Sequence, residues 1–107
     1  MRKKNGQIAT EGKMKYGSFI KGGPLVSKIG FGAWQLGVNS GWKDMSEKKA
    51  IALVRSSLEY GVNFFDTAPN YGNGTSEIRL GKALRGADRS KIVINTKFGH
   101  TVSDWYI

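Results

Sequence analysis

The 107-residue sequence contains no cysteine, only two prolines and a single histidine. The lack of cysteine excludes disulfides and cysteine-ligated zinc, and it is typical of cytoplasmic proteins, where we expect this chain. No apolar run approaches the roughly 20 residues of a membrane-spanning helix. Residues 1–13 also lack the apolar stretch of a secretory signal. We therefore expect no membrane partner.

Acidic residues are scarce as well, with 8 Asp and Glu against 17 Lys and Arg, for a formal net charge of +9. A basic balance of this size raises the possibility of nucleic-acid binding. However, residues 1–13 hold four basic residues and one acidic residue, a third of that charge. No helix-turn-helix, RNA-recognition or zinc pattern accompanies the rest, so we expect no nucleic-acid partner. We interpret residues 1–13 as a disordered basic arm or an extension of non-native origin.

Apolar periodicity and glycine-rich turns predict an α/β chain. The predicted order is a β-hairpin (14–27), a strand (28–34), a helix (47–60), a strand (62–65), a helix (75–85) and a strand (91–96). Ser46 is the expected N-cap of the first helix and Gly61 its terminator. Gly81 inside the second helix suggests a close helix–sheet contact. Strands separated by helices imply a parallel sheet, which fits either an open doubly wound sheet or part of a barrel.

Three polar residues follow the predicted strands at their carboxyl ends, where parallel sheets bind ligands. Asp66 follows one strand, Tyr71 lies in the same loop, and Lys97 follows the next strand. If those strands pair, Asp66 and Lys97 can meet. An ammonium favours the ionised form of a neighbouring phenol, so such a tyrosine can donate a proton to a developing oxyanion. The alternatives are a turn cap for Asp66, a half-buried loop aromatic for Tyr71 and a solvated strand end for Lys97.

The motifs around these residues resemble the aldo-keto reductase family. Residues 61–86 read GVNFFDTAPNYGNGTSEIRLGKALRG and residues 91–99 read KIVINTKFG. Together they match the family pattern of an FDTA motif, a YG pair, an SE pair, LG and AL, followed by a strand ending in TK. Upstream, VSKIGFGAWQLG at 26–37 matches the first barrel strand, and the hairpin before it matches the plug of the barrel floor. The resemblance covers about residues 14–100.

The resemblance implies that residues 14–107 are the N-terminal segment of a (β/α)8 TIM barrel, with about three of its eight strands. It also implies reduction of small-molecule aldehydes and ketones by hydride transfer from NADPH, with NADH as an alternative cofactor, and no metal. By position, Tyr71 matches the general acid, Lys97 the lysine that assists it and Asp66 the aspartate of the catalytic set. Gly32, Ala33, Trp34 and Asp66 match positions at the nicotinamide site.

The sequence also departs from the family pattern. His100 follows Lys97 by three residues and does not match the family's catalytic histidine, which lies beyond Ile107. Three parallel strands leave two open sheet edges, so we expect either self-association or a further C-terminal part that completes the barrel. The alternative function is a non-catalytic interaction module of the same fold.

Overall fold

The part of the chain that the structure describes forms five short strands and two α-helices in the predicted order. A computed structural model describes residues 13–39, Gly41 and 43–99, so His100 and nearly all of the predicted basic arm lie outside the described residues. The elements are β1 (Tyr16–Gly17), β2 (Val26–Ser27), β3 (Phe31–Gly32), α1 (Glu47–Glu59), β4 (Phe64–Asp66), α2 (Thr75–Leu84) and β5 (Val93–Asn95). Neither α1 nor α2, the two α-helices of this described part, is long and apolar enough to cross a membrane.

The N-terminal hairpin, formed by antiparallel β1 and β2, is fastened to the start of β4. The Tyr16 hydroxyl donates to the Gly61 carbonyl at 2.6 Å, and the Ser27 amide donates to Asn63 Oδ1 at 2.7 Å. The Phe19 ring meets the Phe64 ring edge-on, with centroids 5.4 Å apart. The hairpin therefore covers the amino ends of the main sheet, away from the ends that carry the polar residues.

The main sheet consists of β3, β4 and β5, in that order and all parallel. Its strands are shorter than predicted. For β3 the cause is visible at its end, because a 3-10 turn begins at Trp34, directly after Ala33. Phe31, Phe65 and Ile94 lie in register across the sheet, and so do Gly32, Asp66 and Asn95. The parallel pairing expected from the helix-separated strands is confirmed.

Both helices cover the same face of this sheet. Phe65 is fully buried there, against a cluster that includes Ala50 and Val54 of α1 and Leu80 and Ala83 of α2. Successive strand residues point to opposite faces, so Asp66 belongs to the face away from the helices. The core thus fixes which way the candidate acidic residue points.

The helix ends follow the predicted signals, whereas the expectation for Gly81 is wrong. Ser46 Oγ accepts from the Lys49 amide at 3.1 Å, and Gly61 just past α1 has φ +96°, a left-handed conformation that glycine adopts without strain. Gly81 is exposed, and a Cβ there would meet nothing within 4 Å. It therefore makes no close helix–sheet contact.

Replacing Gly81 by Ala should stabilise the chain by about 0.5–1 kcal/mol, because alanine loses less backbone entropy in an exposed helix and nothing obstructs its methyl group. The measurement is the free energy of unfolding in denaturant. Gly61→Ala is the matched control and should be destabilising, since its Cβ would lie 2.8 Å from the Tyr16 hydroxyl oxygen at a positive φ. A loss of stability in Gly81→Ala would contradict this account of α2.

Candidate functional site

The pairing of β4 with β5 brings two of the predicted site residues together. Asp66 ends β4, and Lys97 lies two residues beyond β5. The Lys97 ammonium is 3.2 Å from Asp66 Oδ1, and it also donates to the Thr67 carbonyl at 2.7 Å. Both side chains remain partly open to solvent, at 45% for Lys97 and 40% for Asp66. The site is therefore an accessible surface at the carboxyl ends of the strands.

Tyr71 lies beside this ion pair on the loop between β4 and α2. The Lys97 ammonium is 5.2 Å from the centroid of the Tyr71 ring. The Tyr71 backbone is tied at both ends, since its amide donates to the Ala68 carbonyl and its carbonyl accepts from the Ser76 amide, both at 3.2 Å. All three residues singled out in the sequence thus share one location.

Two glycines, Gly37 and Gly72, allow the loop after β3 to pack closely against the loop that carries Tyr71. Gly72 has φ +63°, and a Cβ on it would lie 2.5 Å from Gly37 Cα and from the Val38 nitrogen. A Cβ on Gly37 would lie 2.6 Å from the Tyr71 carbonyl carbon. Only glycines permit this approach, so the pair sets the position of Tyr71 relative to the end of β3.

The charges of the site stabilise one another. A hydrogen bond from Asn95 Nδ2 to Asp66 Oδ1, at 2.6 Å, is the main reason that the pKa of Asp66 is lowered, and Lys97 contributes further while burial opposes the shift. For Lys97, burial is the largest single influence and acts to lower its pKa. The hydrogen bond to Asp66 and the charges of Asp66 and Tyr71 together outweigh burial, so the pKa of Lys97 is raised. Both groups are therefore held in their charged forms at neutral pH.

The residues predicted for the nicotinamide site differ in accessibility. Gly32 is exposed and lies opposite Asp66, and a Cβ there would meet nothing within 4 Å. Trp34 is 47% exposed, whereas Ala33 is fully buried and its amide donates to the Asp66 carbonyl at 2.9 Å. Gly32 and Trp34 therefore offer surface to a ligand, while Ala33 fixes the end of β3.

Sequence reasoning missed three polar residues that surround the ion pair: Asn95, Thr67 and Ser76. Asn95 lies opposite Asp66 in the pairing of β4 with β5, which places it on the same face of the sheet. The predicted pairing of these strands could have indicated it. Thr67 and Ser76 are buried and share a hydrogen bond of 2.9 Å. Their contact joins a strand end to a helix, and no local pattern in the sequence indicates it.

Comparisons with known proteins agree with this architecture. The model of the aldo/keto reductase family matches residues 28–106. The chain is 38% identical over 93 residues to the aldo-keto reductase YhdN of Bacillus subtilis, covering 86% of this chain and 27% of that protein. It is 41% identical over 86 residues to a probable voltage-gated potassium channel subunit beta of Arabidopsis thaliana, covering 78% of this chain and 25% of that protein.

The fold is likewise similar to that of solved aldo-keto reductases. The holo form of aldo-keto reductase AKR11C1 from Bacillus halodurans superimposes with a TM-score of 0.68 at 37% identity, over 80% of this chain and 26% of that one. This chain spans about a quarter of the length of the relatives it matches. Such relatives are TIM barrels, and the three parallel strands with their two helices correspond to part of one.

Replacing Asn95 by Ala should raise the pKa of Asp66 toward its ordinary value of 3.8, because it removes the Asn95 hydrogen bond, which is the largest cause of the lowered pKa. A carboxylate with a lowered pKa contributes stability above its unfolded pKa, and that contribution is lost as the pH falls through the folded pKa. The variant should therefore lose stability near neutral pH and converge with the wild type in acid. Carboxyl carbon NMR titration measures the shift directly.

Asp88 provides the internal control for this titration. Its pKa is lowered by hydrogen bonds from Ser90, which lies before the start of β5, whereas Asn95 is the last residue of that strand. Asp88 should therefore titrate identically in both proteins. An unchanged Asp66 midpoint in Asn95→Ala would show that the amide does not stabilise this carboxylate.

Proposed function

Because this chain belongs to the aldo-keto reductase family, we propose that it carries the proton-donating and nicotinamide-facing parts of an NAD(P)H-dependent oxidoreductase. The substrates are small aldehydes and ketones, which are reduced to alcohols. One observation carries the proposal: at the carboxyl ends of the strands the Lys97 ammonium lies 3.2 Å from the Asp66 carboxylate and 5.2 Å from the centroid of the Tyr71 ring. The lack of cysteine supports a cytoplasmic location, which stays a prediction.

Tyr71 is the proposed general acid. As negative charge develops on the substrate oxygen, the phenolic O–H bond breaks and its proton forms the new O–H bond of the alcohol. The Lys97 ammonium then faces a phenolate rather than a phenol, and the opposite charges lower the energy of that state. Asp66 keeps Lys97 charged and in place through their 3.2 Å contact. Water restores the phenolic proton.

The end of β3 fits a flat nicotinamide ring. The exposed Gly32 offers backbone without a side chain, next to Asp66, and the half-exposed Trp34 follows it. When bound there, the reduced nicotinamide supplies the hydride that adds to the carbonyl carbon. The excess of basic residues suits a phosphate-bearing cofactor, and we propose NADPH with NADH as the alternative.

Replacing Gly32 by Val should weaken binding of reduced nicotinamide mononucleotide roughly tenfold or more, which corresponds to about 1.4 kcal/mol. The valine side chain would occupy the space that the ring needs, while its Cβ contacts no neighbour. Binding is followed by backbone amide NMR shifts during titration. Gly81→Ala is the control and should bind as the wild type does. Equal affinity in Gly32→Val would remove β3 from the nicotinamide site.

In the polypeptide that carries this sequence, Tyr71→Phe should lower the rate of aldehyde-dependent NADPH oxidation by about 10²–10⁴-fold, the usual contribution of a general acid. The phenylalanine retains the ring beside Lys97 and removes only the proton donor. The rate is read from the loss of NADPH absorbance. Equal rates in the two proteins would remove Tyr71 from the mechanism.

A non-catalytic interaction module of the same fold is the second candidate. Two observations favour it: the chain resembles a protein named as a potassium channel subunit, and, within the described residues, the outer edges of β3 and β5 pair with no strand. Such edges recruit further strands, from another copy or from a completing segment. The Tyr71→Phe comparison separates the candidates, since an interaction module has no catalytic rate for the variant to lower.

A further inference from the structure

Two buried hydroxyl groups lie directly beneath the candidate site. Ser76, in the first turn of α2, is fully buried, and Thr67, which follows β4, is only 2% exposed. Their oxygens are 2.9 Å apart, and Ser76 Oγ also donates to the Ala33 carbonyl at 2.7 Å. Buried hydroxyls are costly unless they are paired, and these two are paired with each other and with the Ala33 carbonyl.

The direction of this hydroxyl chain follows from the number of protons. A serine hydroxyl has one proton, and that of Ser76 goes to the Ala33 carbonyl. The hydrogen bond between the two hydroxyls must therefore be donated by Thr67 and accepted by Ser76. The chain runs from Thr67 through Ser76 to Ala33, and it ties the end of β4 to the end of β3.

Both ends of this pair reach the candidate catalytic groups. The Thr67 carbonyl accepts from the Lys97 ammonium at 2.7 Å, the shortest contact described for that ammonium. The Ser76 amide donates to the Tyr71 carbonyl at 3.2 Å. The Thr67 amide is itself fixed, since it donates to the Asn95 carbonyl at 2.8 Å. Thr67 is thus held through its amide and its hydroxyl, next to the carbonyl that binds Lys97.

We propose that Thr67 and Ser76 are positioning residues, whose hydroxyl pair helps to orient the Thr67 carbonyl toward Lys97 and so keeps the ammonium beside Asp66 and Tyr71. This inference rests on the proposed reductase function for its consequence, since the ammonium must stand beside the phenol when the phenol loses its proton. Neither hydroxyl touches the reacting atoms. Their effect is transmitted through the Thr67 peptide group and through the first turn of α2.

A purely structural role for the pair makes a different prediction. If the hydroxyls only satisfied each other in the core, their loss would reduce stability but leave Lys97 and Asp66 where they are in the folded protein. If they aim the carbonyl, their loss frees the ammonium from Thr67 and loosens its contact with Asp66. The titrations of Lys97 and Asp66 in the folded state therefore distinguish the two roles.

The test compares Thr67→Val with Thr67→Ser in the full chain. Valine has nearly the shape of threonine without the hydroxyl, whereas serine retains the hydroxyl and loses the methyl group. In Thr67→Val the NMR titration midpoint of the Lys97 side-chain nitrogen should fall and that of the Asp66 carboxyl should rise. Thr67→Ser should keep both midpoints near those of the wild type. Ser57→Ala, which removes a hydroxyl bonded to the Val54 carbonyl inside α1, is the control and should leave both unchanged.

Kinetics provide a second measurement. A small displacement of a catalytic group costs up to about 10²-fold in rate, so Thr67→Val should lower kcat with little change in KM, and Thr67→Ser should restore most of the loss. Unchanged Lys97 and Asp66 midpoints in folded Thr67→Val would overturn the proposal. Failure of the reductase function itself would show differently, as equal rates for wild type and Tyr71→Phe, and the titrations would still decide what the hydroxyl pair does.

Discussion

The register between β4 and β5 is the constraint on which the candidate site depends. It sets Phe65 opposite Ile94 and Asp66 opposite Asn95, which carries Lys97 to the Asp66 carboxylate and the Thr67 carbonyl. A slip of one residue would turn Asp66 toward the helices and Phe65 out of the core. Exposing a fully buried phenylalanine costs roughly 1.5–3 kcal/mol, so the hydrophobic core enforces the geometry of the polar site.

The ion pair itself contributes little to holding the fold. Asp66 and Lys97 are each more than a third exposed, and pairs of that kind are worth about 0–1 kcal/mol. Two contacts do more to position the site residues: the buried Thr67–Ser76 hydrogen bond and the close approach of Gly37 to Gly72. A shift of the first would leave a buried polar atom unpaired, and a shift of the second would create a steric clash. The charged groups of the site, Asp66 and Lys97, are therefore accessible, while the Thr67–Ser76 contact that helps to position them is buried. This arrangement suits charges that face a ligand.

The features that the sequence predicts correctly are those that depend on neighbouring residues, such as helix ends and the order of strands and helices. Ser46 and Gly61 marked the ends of α1, and the spacing of strands and helices indicated the parallel sheet that joins Asp66 to Lys97. Sequence reasoning failed for Gly81, because a glycine in a helix pattern does not reveal which face of the helix it occupies. It also missed the Thr67–Ser76 pair, whose partners belong to different elements and meet only through the packing of α2 on the strand ends. Asp66, Tyr71 and Lys97 were found, while their roles in catalysis stay a prediction.

The central claim is that a nicotinamide bound beside Gly32 reduces a carbonyl group whose oxygen is protonated by Tyr71. The most direct measurement uses reduced cofactor deuterated at its transferable position, with mass analysis of the alcohol formed by the polypeptide that carries this sequence. We expect deuterium on the former carbonyl carbon of the alcohol, and a marked loss of labelled product when Lys97 is replaced by Met. Alcohol without deuterium, or no alcohol at all, would contradict this claim.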